Sequence, residues 1–121
     1  MSEPIVRLSR VTKRYGYGER ATLALGASRL RDALPVLRGW WEGTPEVDLR
    51  RTALLAIAML RHEEAIGFLL SLVAEAAGPD ARDAIAALGT YRHDEVLRAR
   101  VATAIEARTD VSLRTAFARA F

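Results

Sequence analysis

Arg61-His62-Glu63-Glu64-Ala65-Ile66 and Arg92-His93-Asp94-Glu95-Val96-Leu97 are one six-residue pattern met twice, thirty-one positions apart, and they contain both histidines of the chain. Self-similarity at a fixed period of this size is the signature of stacked-repeat architecture. Further segments fall into the same register. Arg82-Asp83-Ala84-Ile85-Ala86-Ala87-Leu88-Gly89 aligns with Arg51-Thr52-Ala53-Leu54-Leu55-Ala56-Ile57-Ala58 and with Glu19-Arg20-Ala21-Thr22-Leu23-Ala24-Leu25-Gly26. A partial fourth copy is Arg114-Thr115-Ala116-Phe117-Ala118-Arg119-Ala120-Phe121. The anchoring alanines Ala21, Ala53, Ala84 and Ala116 lie 32, 31 and 32 residues apart.

Each unit reads as two helices. In the first helix, Ala53, Ile57 and Leu60, or Ala84, Ala87 and Leu88, recur at helical spacing. The second helix carries Ala65, Ile66, Leu69, Leu70 and Val73 in one copy, and Val96, Leu97, Val101 and Ile105 in the next. Thr44-Pro45-Glu46, Gly78-Pro79-Asp80 and Thr109-Asp110 supply starting signals: a cap, a first-turn proline or an early acid. The pattern predicts helices over 19–27, 31–41, 46–60, 63–76, 79–90, 94–107 and 110–120, with Pro35 in a first turn, where its missing N–H costs little. Units are expected at 19–43, 44–77 and 78–108, with a partial unit at 109–121.

Paired helices of this length, with an Asp-x-x-Arg-x-x-Ala-x-x-Ala-Leu-Gly type first helix (closest at Pro79 to Gly89), resemble HEAT-like repeats. The short bacterial kind, also found in phycobilisome-lyase-like proteins, is the most similar. The resemblance covers residues 19–121. It implies an all-α, right-handed α–α superhelix of three helix pairs plus a terminal helix. It also implies a scaffold or adaptor that presents its helices to a protein partner. If successive second helices form the binding surface, Arg38, Trp41, Ser71 and Arg98 are its candidate residues.

Composition sets the outer limits. A chain of 121 residues, half of them apolar, is long enough for one continuous core. It has no cysteine, so neither a disulfide framework nor a thiolate metal site can form. No apolar run approaches a membrane span or a signal peptide, and a cytoplasmic location is expected. The net charge of +3 is concentrated in residues 1–18, where Arg7, Arg10, Lys13 and Arg14 face a single acid, Glu3. The remaining fourteen arginines and fourteen acids cancel. The arm has no counterpart in the repeats and is expected to cap the first of them. Its basic residues and two tyrosines give the rival reading, a nucleic-acid-binding module.

His62-Glu63 and His93-Asp94 invite a metal hypothesis, since imidazole with carboxylate suits iron or zinc. Deoxyhypusine hydroxylase, a HEAT-repeat enzyme, holds two irons through four His-Glu pairs within helices. This chain has one His-Glu and one His-Asp, both expected in turns. There the acids favour the first turn of the following helix, through its dipole. The structural reading is preferred: no metal, no cofactor and no catalytic residue is expected. Arg20, Arg51, Arg82 and Arg114 form a periodic row that would grip phosphates. With Asp48, Asp80 and Asp110 upstream, an Asp–Arg ladder between repeats is the simpler expectation. Trp40 and Trp41 point about 100° apart on a helix, so one should pack beneath the repeat while the other is free to serve as an exposed anchor; for Trp41, edge packing or end-capping is the preferred reading beside its candidacy as a binding residue. Leu113, Ala116, Phe117, Ala120 and Phe121 form an apolar stripe on the last helix, a candidate homodimer contact.

Overall fold

A computed structural model describes residues 19–121. The expected capping role of the basic arm falls outside these residues. The described chain is all helical: α1 over 19–27, α2 Ala33–Gly43, α3 Val47–Leu60, α4 Glu63–Glu75, α5 Gly78–Leu88, α6 Glu95–Glu106 and α7 Val111–Ala120, with a 3-10 turn at Gly89–Tyr91. None of the described helices is long and apolar enough to cross a membrane. Helix bounds follow the sequence signals closely. Pro79 occupies the first turn of α5. The Asp94 carboxylate accepts the Leu97 N–H at the start of α6. Asp110 does the same for Ser112 at the start of α7, and hydrogen bonds from Ser112 hold the Asp110 carboxyl below its usual range.

The helices form two rows. First helices α3, α5 and α7 pack in succession, and second helices α4 and α6 lie beside one another. Leu54, Ile57, Leu60, Leu69, Ile85, Leu88, Val101 and Leu113 fill the space between the rows and are fully buried. Each contributes about 1.5–3 kcal/mol by leaving water. This continuous core between stacked helix pairs is the all-α solenoid expected from the thirty-one-residue period.

The repeat register shows how closely first helices approach. Gly26, Ala58 and Gly89 occupy the same place in successive units. At Gly26, a methyl group would lie 2.5 Å from the Ala56 carbonyl oxygen and 2.8 Å from its Cα, so α1 rests on the backbone of α3. At Ala58 the neighbouring element is a side chain instead: the buried Tyr91 hydroxyl donates to the Ala58 carbonyl, tying the end of α5 to α3. Arg61 then takes a left-handed conformation, φ 61°, which ends α3 and turns the chain into α4 within two residues.

Polar ties join the units, but with different partners from those expected. Arg50 and Arg51 of α3 reach Asp80 and Asp83 of α5, at 3.0 and 3.1 Å. Arg82 donates to the Ser112 hydroxyl of α7 at 3.1 Å. Among the described residues, Asp80 is the one of the three predicted acids whose carboxylate forms an ion pair with an arginine, while the Asp110 carboxylate caps α7. Two arginines also close helix ends. Arg50 donates to the Trp41 and Thr44 carbonyls at the end of α2, and Arg108 to the Val73 and Ala76 carbonyls at the end of α4. These carbonyls lack intrahelical partners, so each guanidinium satisfies acceptors that the helix leaves over.

Candidate interaction surface on the second helices

The second-helix row carries an open groove of about 890 Å³ between α4 and α6. Gly67, Leu70, Ser71 and Ala74 form its α4 wall, a spacing of three and four residues that places them on one face. Val96, Ala99, Thr103 and Ala104 form the α6 wall by the same rule. Small residues keep the groove shallow and let a guest approach the helix backbones. Nothing lies within 4 Å of where a Gly67 Cβ would stand. Val96, at 73% exposure, is the most solvent-exposed large apolar residue of the groove.

At one end the Arg100 guanidinium grips both Glu63 oxygens, at 2.6 and 3.2 Å, fixing the start of α4 against α6. The hydrogen bond from Arg100, reinforced by its charge, holds the Glu63 carboxyl below the usual range. Both side chains are solvated, so the pair defines a rim without stabilising the fold greatly.

The four candidate residues divide. Ser71 lies in the groove, its hydroxyl donating to the Phe68 carbonyl. Arg38 is exposed but outside the groove lining, its guanidinium 4.4 Å above the Phe68 ring. Arg98 is also exposed but faces the other flank of α6, 5.9 Å from the Phe117 ring. Trp41 is a correction as a binding candidate: it is buried at 8% exposure, which fits its reading as a packing residue and leaves no face for a partner. It meets Phe68 edge to face at 5.8 Å, and the Arg50 guanidinium covers it at 4.6 Å. Its indole N–H has no partner among the described residues, a cost that these ring contacts offset.

The exposed indole is Trp40, at 44%, one turn beyond the exposed Val36. The stride of four from Ala33 through Leu37 to Trp41 marks the buried stripe of α2. That stride was available in the sequence to choose between the two tryptophans.

The histidines stand in turns. His62 precedes α4, its backbone carbonyl accepting the Ile66 N–H, and His93 precedes the Asp94 cap of α6. Glu63 is engaged by Arg100 and Asp94 by the α6 backbone. Among the described residues no three His, Asp or Glu side chains converge on a point. On α7, Phe117 and Phe121 stack at 4.9 Å and are half-buried against the core, so much of the expected dimer stripe is used within the chain.

Comparison with known proteins agrees with this architecture. A family model described as HEAT repeats matches residues 19–89, more than half of the chain. Neither a curated protein nor a solved structure matches significantly.

Proposed function

The chain belongs to the HEAT-repeat family, and on that premise we propose that it is a non-catalytic scaffold or adaptor whose α4–α6 groove receives a protein partner. HEAT repeats commonly mediate protein–protein interaction, which gives the general class. The groove supports the particular reading. Its walls are mostly apolar and small, while its charged residues are confined to Glu95 and to Arg100, already paired with Glu63. Such a lining offers contact area and close approach and no evident acid–base or nucleophilic pair. It suits the apolar face of an amphipathic helix, read out at positions one turn apart. Similarity to the short bacterial repeat type and a cytoplasmic setting belong to the same proposal.

Val96→Glu tests the assignment. The side chain is exposed, so the fold should be retained, while a charge in the groove must be desolvated when the partner docks. Retention of the native host partner on immobilised protein should fall by roughly tenfold or more, a penalty of about 1.4 kcal/mol or above. Undiminished retention would place the partner surface elsewhere.

A further inference from the structure

The opposite face of the solenoid, built from first helices, carries a cleft that the scaffold reading does not use. It encloses about 530 Å³ between α3, α5 and α7. Its small-residue lining is Ala86, Gly89, Ala116 and Ala120, and around these stand Arg51, Arg82, Arg92 and Arg119. Asp83 is the sole acid of the lining, so four arginines against one aspartate leave a charge of +3.

The repeat register explains why the hollow lies here. Leu23, Leu55, Ala86 and Ala118 are equivalent positions. The first two units fill this place with leucine, whereas the third presents a methyl group. Gly89 lets the end of α7 approach closely, since a Cβ there would stand 3.1 Å from the Ala120 Cβ, so the floor of the cleft is made of small residues.

The four guanidinium groups differ in commitment. Arg51 gives its Nε to Asp83 and retains its terminal nitrogens, while Arg82 has one terminal nitrogen on Ser112. Among the described residues, neither Arg92 nor Arg119 has an ion-pair partner. Arg119 sits in the last turn of α7, where the helix dipole favours a cation. Several guanidinium forks around one volume match an anion with many oxygens spread over several ångströms. A single carboxylate would engage one fork and leave the others unused.

We infer that this cleft binds an oligophosphate, with Arg92 and Arg119 as the principal ligands and Ala86 providing the space. The phosphate groups would seat above the small residues and take bidentate hydrogen bonds from the surrounding guanidinium groups. The chemistry is shared by a free oligophosphate and by the phosphodiester chain of a single-stranded nucleic acid.

Titration calorimetry with inorganic tripolyphosphate at low salt tests the inference. The expected result is saturable binding near one equivalent, weakened by roughly tenfold or more in Arg92→Gln/Arg119→Gln. Both residues are exposed, so circular dichroism should show an unchanged helix content. Ala86→Leu separates a seated ligand from diffuse attraction, because it fills the cleft without altering charge and restores a residue that two other units carry. It should abolish binding. Displacement of tripolyphosphate by a single-stranded oligonucleotide would identify the phosphodiester source, and failure to displace would identify the free one. Absence of binding, wild-type affinity in Ala86→Leu, or an equal loss in Arg38→Gln would overturn the site. Since Ala86 and Val96 lie on opposite helix rows, Ala86→Leu should leave partner retention intact, and the two readings fail separately.

Discussion

Gly26→Ala is expected to destabilise the protein by about 3 kcal/mol, at the upper end of what adding one methyl group to a packed site costs. The reason is the identity of the obstacle. The new Cβ would meet the carbonyl oxygen and Cα of Ala56 inside van der Waals contact, and neither can rotate away as a side chain would. Relief requires α1 to lift from α3, which opens the first inter-unit contact of the solenoid. Gly89→Ala provides the internal comparison. Its Cβ would stand 3.1–3.2 Å from Ala120, near the end of the last helix, where a shift of a few tenths of an ångström suffices. Since alanine also holds helical backbone better than glycine by about 0.8–1 kcal/mol, the net change at Gly89 should be below about 1 kcal/mol. Urea unfolding of both variants measures the contrast. Equal losses would show that α1 does not rest on the α3 backbone.

Arg50→Met should cost about 2–3 kcal/mol by the same measurement, although methionine preserves much of the side-chain volume. Arg50, in α3, joins α2 to α5: it binds the Trp41 and Thr44 carbonyls at the end of α2, covers the Trp41 ring and reaches Asp80 at the start of α5. With side-chain exposures of 22% and 28%, Arg50 and Asp80 are shielded enough for the charge-assisted bonds to matter. The substitution leaves a half-buried carboxylate and two carbonyls without their donor. Arg51→Met should have a much smaller effect, since Arg51 is 62% exposed and makes one contact with Asp83. A similar loss at both positions would mean that net charge, rather than the joint made by Arg50, supplies the stabilisation.

The fold was largely legible because its cause is periodic. Apolar positions repeated within each helix and helices repeated along the chain, while Asp94, Pro79 and Asp110 marked helix starts that the structure retains. Lateral detail was less accessible. An arginine row could be read, but not that Arg50 would be the central member. Arg50 and Arg51 are neighbours, and only the rotation of α3 decides which one points into the joint. Their partners carried a signal, since Asp80 and Asp83 stand three residues apart on one face of α5.

The candidate surface followed the same division. Ser71 could be placed in the groove from helical phase alone, whereas Arg98 lies on the adjoining flank of its helix, towards α7. Val96 belongs to the second copy of the histidine-bearing echo, where it is equivalent to Ala65. The earlier copy buries its residue, and the later one presents it in the groove. A repeat pattern predicts common backbone positions. It does not predict which copies are covered by a neighbour.

The scaffold reading rests on partner contact through the α4–α6 groove, and site-directed photo-crosslinking in the native host tests it most directly. A photoreactive residue at position 96 should give a discrete protein adduct that disappears when Leu70→Glu is added, while the same group at position 86 on the first-helix row should give none of that species. Loss of the adduct in the presence of a folded Leu70→Glu protein would locate the partner in the groove. A folded protein that yields no adduct from position 96, or the same adduct from both positions, would contradict the account.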